Sequence, residues 1–154
     1  MSAVRLLPRL REKRVGAGPL GNGAWLRIHD RFARSVHRYQ SVIAVIPSRP
    51  VRSELTEIAD EFVECLAVVR TACERAQLVA PSDTPEVPAG PGEVYLDVHR
   101  RMARAATLCA RASESAMMAR LGVRMNDENA IQEHVDAARR TAKQVRELVE
   151  GALL

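Results

Sequence analysis

Four long segments of this chain repeat apolar residues at alternating spacings of three and four, a period that fits one face of a helix and no strand. In the first, Trp25, Ile28, Phe32, Tyr39, Val42 and Ile46 carry the stripe, and Ser35 is its single break. The second, Leu55, Ile58, Phe62, Cys65, Val69, Ala72, Ala76 and Val79, has none. The third runs Tyr95, Val98, Met102, Ala105, Cys109, Ala112, Ala116, Ala119 and Val123, and the fourth Ile131, Val135, Ala138, Ala142, Val145, Val149 and Ala152. Four amphipathic helices of this regularity bury their stripes by packing on one another at shallow angles. The expected fold is all-α: a four-helix bundle with helices near 24–46, 53–80, 92–121 and 127–152.

Turn and cap residues divide the segments. Pro47 and Pro50 bracket the first connection, and Ser53 precedes an acidic turn, Glu54 and Glu57, suited to a helix N-terminus. Pro81 stops the second helix, Gly122 offers a left-handed cap after the third, and Asn126 can cap the fourth. Residues 81–92, PSDTPEVPAGPG, hold four of the eight prolines and separate two helical hairpins, 24–80 and 93–154. In extended form that linker reaches roughly 37 Å, enough to run along the bundle or to turn at one end. A two-helix hairpin buries too little surface to stand alone, so both belong to one unit. Residues 1–23 read as a flexible, basic, glycine-rich tail.

The net charge of +4 lies in that tail. Residues 1–22 carry Arg5, Arg9, Arg11, Lys13 and Arg14 against Glu12, and the remaining 132 residues balance to zero. The bundle therefore has no net field to attract nucleic acid. The longest apolar run, Val42 to Ile46, is far short of the roughly 18 residues that cross a bilayer. Cys65, Cys73 and Cys109 form neither a disulfide framework nor a CxxC pair, and the N-terminal residues lack the apolar segment of a secretory signal. The expectation is a cytoplasmic protein with buried, reduced thiols.

Catalytic and cofactor signatures are weak. Gly16 to Gly21 matches GxGxxG, but a dinucleotide loop needs a preceding strand and a βαβ unit, and Pro19 removes one amide donor. The residues three before His29, His37, His99 and His134 are Leu26, Arg34, Leu96 and Ile131, so the Glu-x-x-His pairs of a helical metal site are missing. The expectation is a protein that is not an enzyme, with no cofactor and no metal.

Charge and exposed apolar surface point instead to binding. Arg27, Arg31, Arg34 and Arg38 form a basic ridge on the first helix, and Glu54, Glu57, Glu61 and Glu64 an acidic ridge on the second. Each ridge lies roughly 110° from its apolar stripe, in the same rotational sense. Antiparallel neighbours place same-sense flanks on the same side, so the two ridges should meet, which predicts Arg38 beside Glu61 and Arg34 beside Glu64. Arg27 and Arg31 then stay free, next to the tail cations Arg9, Arg11, Lys13 and Arg14. This set is the candidate surface for an acidic protein partner, with nucleic acid or an anionic membrane surface as alternatives. A second apolar strip on the third helix, Ala103, Ala106, Ala110, Met117 and Leu121, is a candidate face for forming a homo-oligomer. The functional expectation is an adaptor or regulator of another macromolecule. The alternative is a nucleic-acid or ribosome-associated factor that holds phosphates through its tail.

Overall fold

A computed structural model describes residues 18–153. Four helices account for most of them: α1 (Ala24–Ala44), α2 (Arg49–Val79), α3 (Val94–Arg124) and α4 (Glu128–Glu150), with a single 3-10 turn at Pro91–Glu93. The described residues contain no strand. Of the expected basic tail, 1–23, residues 1–17 lie outside the described residues.

Each helix packs on two neighbours: α1 on α2 and α3, and α4 on α3 and α2. Contact across the α2–α3 diagonal is slight. Side-chain contacts fix the directions. Trp25 stacks edge-on against Tyr95 and His99, and Arg31, six residues further on, reaches Thr107, so α1 and α3 run parallel. Glu54 meets Arg139, and Glu61 and Glu64 meet Arg146, so α2 and α4 are parallel too. The packing is that of a helical bundle. Its centre is closed by Trp25, Phe32, Tyr39, Leu55, Phe62 and Met102, all fully buried. The Tyr39 hydroxyl is satisfied by donating to the Leu55 carbonyl at 2.8 Å, and its ring meets Phe62 edge-on.

The proline-rich linker stays at the end of the bundle where α1 begins. The Trp25 indole donates to the Ala80 carbonyl at 2.8 Å, and the Ala24 amide donates to the Ser82 hydroxyl at 2.9 Å. Ser82 thus supplies the cap that Gly23, at the N-cap position of α1, cannot. Its hydroxyl also lies within hydrogen-bonding distance of the Thr84 and Glu86 carbonyls, which ties down the linker. Gly23 is required by this closeness, since a β-carbon there would collide with the Ser82 side chain and backbone. Leu20, Gly21 and Gly23 are buried. The glycine-rich approach to α1 is therefore packed against α2 and the linker at these positions, where the sequence suggested a flexible tail.

Several helix ends differ from expectation for identifiable reasons. α2 starts at Arg49, four residues early, because Ser48 accepts from the Val51 amide and Pro50 sits in the first turn, where its missing N–H costs nothing. α3 continues through Gly122 to Arg124 and ends in a Schellman motif. The Asp127 amide donates to the Gly122 carbonyl, the Asn126 amide to the Val123 carbonyl, and Asn126 takes the left-handed conformation (φ 52°). Asp127, not Asn126, caps α4 by accepting from the Ala130 amide. Gly122 serves packing instead: a β-carbon built there would lie 2.9 Å from Cγ1 of Ile131.

Candidate interaction surface

The basic ridge of α1 is exposed along its length at Arg27, Arg31, Arg34 and Arg38. The residues alternating with it, Ile28, Phe32, Val36 and Tyr39, are buried, so the helix cannot rotate to hide its arginines without exposing the core. Arg31 donates to the Thr107 hydroxyl at 3.0 Å, across the α1–α3 seam. Among the described residues, Arg27, Arg34 and Arg38 make no ion pair or hydrogen bond through their side chains.

The expected pairing of Arg34 and Arg38 with Glu64 and Glu61 does not form. Those carboxylates belong to Arg146 of α4, at 3.1 Å from Glu64 and 3.9 Å from Glu61. Glu54 likewise takes Arg139 at 3.1 Å. The reason is rotational. Same-sense flanks of two antiparallel helices lie either both on the outer side that the pair shares, or both on the opposite sides, turned away from each other. The bundle adopts the second arrangement, so the basic flank of α1 turns toward α3 and the acidic flank of α2 toward α4. Which of the two occurs depends on the hand of the bundle.

Charge is sorted accordingly. α1 and α3 together carry ten arginines against three carboxylates, Asp30, Asp97 and Glu114, a net +7. α2 and α4 carry eight cations against eleven carboxylates, a net −3. The balance lies in the connections, at Asp83, Glu86, Glu93 and Asp127. A body with no net charge thus presents a strongly basic side, which the adjacency of α1 and α3 creates and which the overall sum conceals.

The second apolar strip of α3 is divided by the fold. Ala106 is buried, Ala103 and Ala110 are half-buried, and Met117 and Leu121 are 46% and 45% exposed. Met118 and Met125 are exposed beside them and were missed by the sequence reading. The alanine part belongs to the packed bundle, and the open apolar surface is confined to the last turns of the helix.

The remaining chemistry-bearing groups are buried or dispersed. Burial pushes the Cys65 thiol up to about 11 and those of Cys73 and Cys109 up to about 12, which keeps them protonated and poorly nucleophilic. Cys73 donates to the Met102 sulfur at 3.6 Å. His99 is held below its ordinary value of 6.5 by desolvation and then by the Arg31 charge. Among the described residues no three His, Cys, Asp or Glu side chains converge as metal ligands. No helix among them is long and apolar enough to cross a membrane. The described residues line surface grooves, of which two stand out. One of about 340 Å³ lies between α3 and α4, lined by Arg101, Arg104, Leu108, Gln144, Glu147 and Leu148. The other, of about 280 Å³, lies where the described chain begins, with His29, Asp30 and Arg70 on its wall. Both are open to solvent.

Comparison of the chain with protein-family models, with curated proteins and with solved structures gives no match.

Proposed function

We propose that this protein is a non-catalytic interaction module, an adaptor or regulator that contacts an acidic protein partner through the start of α1 and the basic segment before it. Two helical hairpins, 24–80 and 93–154, form its scaffold, in a reducing cytoplasm that suits three buried free thiols. The observation carrying this reading is the exposure of Arg27 and Arg31 at the end of α1 where the N-terminal segment enters. No carboxylate among the described residues neutralises either of them. Arg9, Arg11, Lys13 and Arg14 add their charges to the same contact, raising the effective concentration of cations there.

The test uses the partner recovered with the full chain from its native host. Deleting residues 1–15, or replacing Arg27 and Arg31 with Ala, should weaken binding while leaving the melting temperature nearly unchanged. Undiminished affinity in both variants contradicts the proposal. A salt titration against mixed RNA and DNA separates the alternative, since tail-bound phosphates release counterions and lose affinity steeply with salt.

A further inference from the structure

Resting on the interaction reading above, we propose that the outer α1–α3 face is a docking surface for one amphipathic, acidic helix of another protein. Three features of this face fit such a partner and no one of them suffices alone.

The first is charge. Arg27 to Arg38 spans about 16 Å of helix, three turns of a docked partner. On α3, Arg100, Thr107 and Arg111 fall on one outward line at i, i+7 and i+11. Arg31 reaches this line through its bond to Thr107. Arg100 and Arg111, like Arg34 and Arg38, make no ion pair among the described residues. An acidic helix laid between the two rows would neutralise both. Arginines left without carboxylates by the bundle's own hand are an opening for carboxylates from outside.

The second is an apolar end. Trp25 lies against Tyr95 and His99 and Arg31 against Thr107, an offset of 70 to 76 residues between parallel helices. Carried forward, that offset brings Val45 level with residues 115–121 of α3, the turns that hold Met117 and Leu121. Val45 is 60% exposed, and Leu121 and Met117 are each nearly half exposed. The face therefore changes along its length, from arginine at the start of α1 to valine, leucine and methionine at the far end. A phosphate backbone would use the arginines and leave this end idle, and the described part of the face offers no exposed aromatic for base stacking. An amphipathic helix with acidic residues toward one end and apolar ones toward the other uses all of it.

The third is shape. Ala103 and Ala110 are half-buried between the rows, and small side chains let another helix sit close.

The test measures fluorescence anisotropy of a synthetic amphipathic peptide, Leu at helical spacing with Glu on the flanking positions, titrated with the full chain. Arg34→Glu with Arg38→Glu should weaken binding by about tenfold or more. Met117→Gln with Leu121→Gln should weaken it several-fold at unchanged charge. Arg140→Glu with Lys143→Glu on α4 makes the same charge change elsewhere and should leave binding within about twofold. Circular dichroism of each variant checks that it stays folded. No binding by wild type overturns the proposal, as does an equal loss in the α4 variant. Tighter binding of single-stranded RNA or of phosphatidylserine vesicles with the same variant pattern also overturns it, by assigning the face to phosphate. Wild type that dimerises through Met117 and Leu121, with peptide binding insensitive to those two, contradicts it as well. Loss on deleting residues 1–15 with no loss in the face variants rejects the docking surface but keeps the basic segment as the contact. Loss in the face variants alone does the reverse.

Discussion

The two parallel helix pairs of this bundle are held together differently. α2 and α4 are bridged by ion pairs, Glu54 with Arg139 and Glu61 and Glu64 with Arg146, so their facing charges are satisfied within the chain. α1 and α3 are joined by Trp25 against Tyr95 and His99, by small residues including the buried Ala106, and by one hydrogen bond from Arg31. No ion pair crosses that seam among the described residues. A seam held by apolar contact leaves its rim arginines without internal partners, whereas a seam rimmed by complementary charges consumes them. Both helix pairs serve the same core, yet among the described residues the basic ridge of α1 meets no carboxylate across its seam with α3, while the acidic ridge of α2 meets Arg139 and Arg146 of α4.

The sharpest way to break this contrast is to remove the apolar seam itself. Trp25→Ala deletes a fully buried ring together with its bond to Ala80, and should cost about 3–5 kcal/mol in chemical denaturation. A loss below about 1 kcal/mol would mean that the α1–α3 contact depends on something else. Ala106→Glu and Ala110→Glu grade the same seam. Ala106 is buried, so its charge has no partner and should prevent stable folding, while half-buried Ala110 should tolerate Glu with intact helical content and a lower melting temperature. Equal effects at the two positions would contradict the placement of the seam.

The helices were legible in the sequence because each stripe repeats for many turns. The alternation of three and four used to read them averages 3.5 residues per turn, and α1 shows the drift from the true 3.6: Val36 and Ile43 are buried where the template chose Ser35 and Val42. Caps were harder to read. Ser53 and Asn126 are plausible caps locally, but Ser48 and Asp127 win because the backbone already turns there. The interaction surface was half legible. The exposure of Arg27 and Arg31 follows from their angle to the stripe. The fate of Arg34 and Arg38 depends on the hand of the bundle, which one helix wheel does not contain. The basic side escaped notice for the same reason, since α1 and α3 are distant in sequence and become neighbours only in the fold.

A smaller effect reports on the Arg31 end of the seam. His99 titrates below 6.5 because burial, and then Arg31, disfavours its charged form. The folded protein therefore binds this proton less readily than the unfolded chain. The stability it contributes is complete above 6.5 and is lost as pH falls through the lower folded value. Arg31→Ala should move the His99 titration part of the way back toward 6.5 in proton NMR and narrow that window. An unchanged midpoint would mean that the Arg31 charge does not act on His99.

The most direct test of the charge sorting is a pair of double-mutant cycles on Glu64, one with Arg146 and one with Arg34, measured by denaturant unfolding. Glu64 and Arg146 are exposed enough that their coupling should be modest, about 0.5 kcal/mol and smaller in high salt, while Glu64 and Arg34 should show none. Coupling of Glu64 to Arg34, with none to Arg146, would place the acidic flank of α2 against α1 and contradict the account.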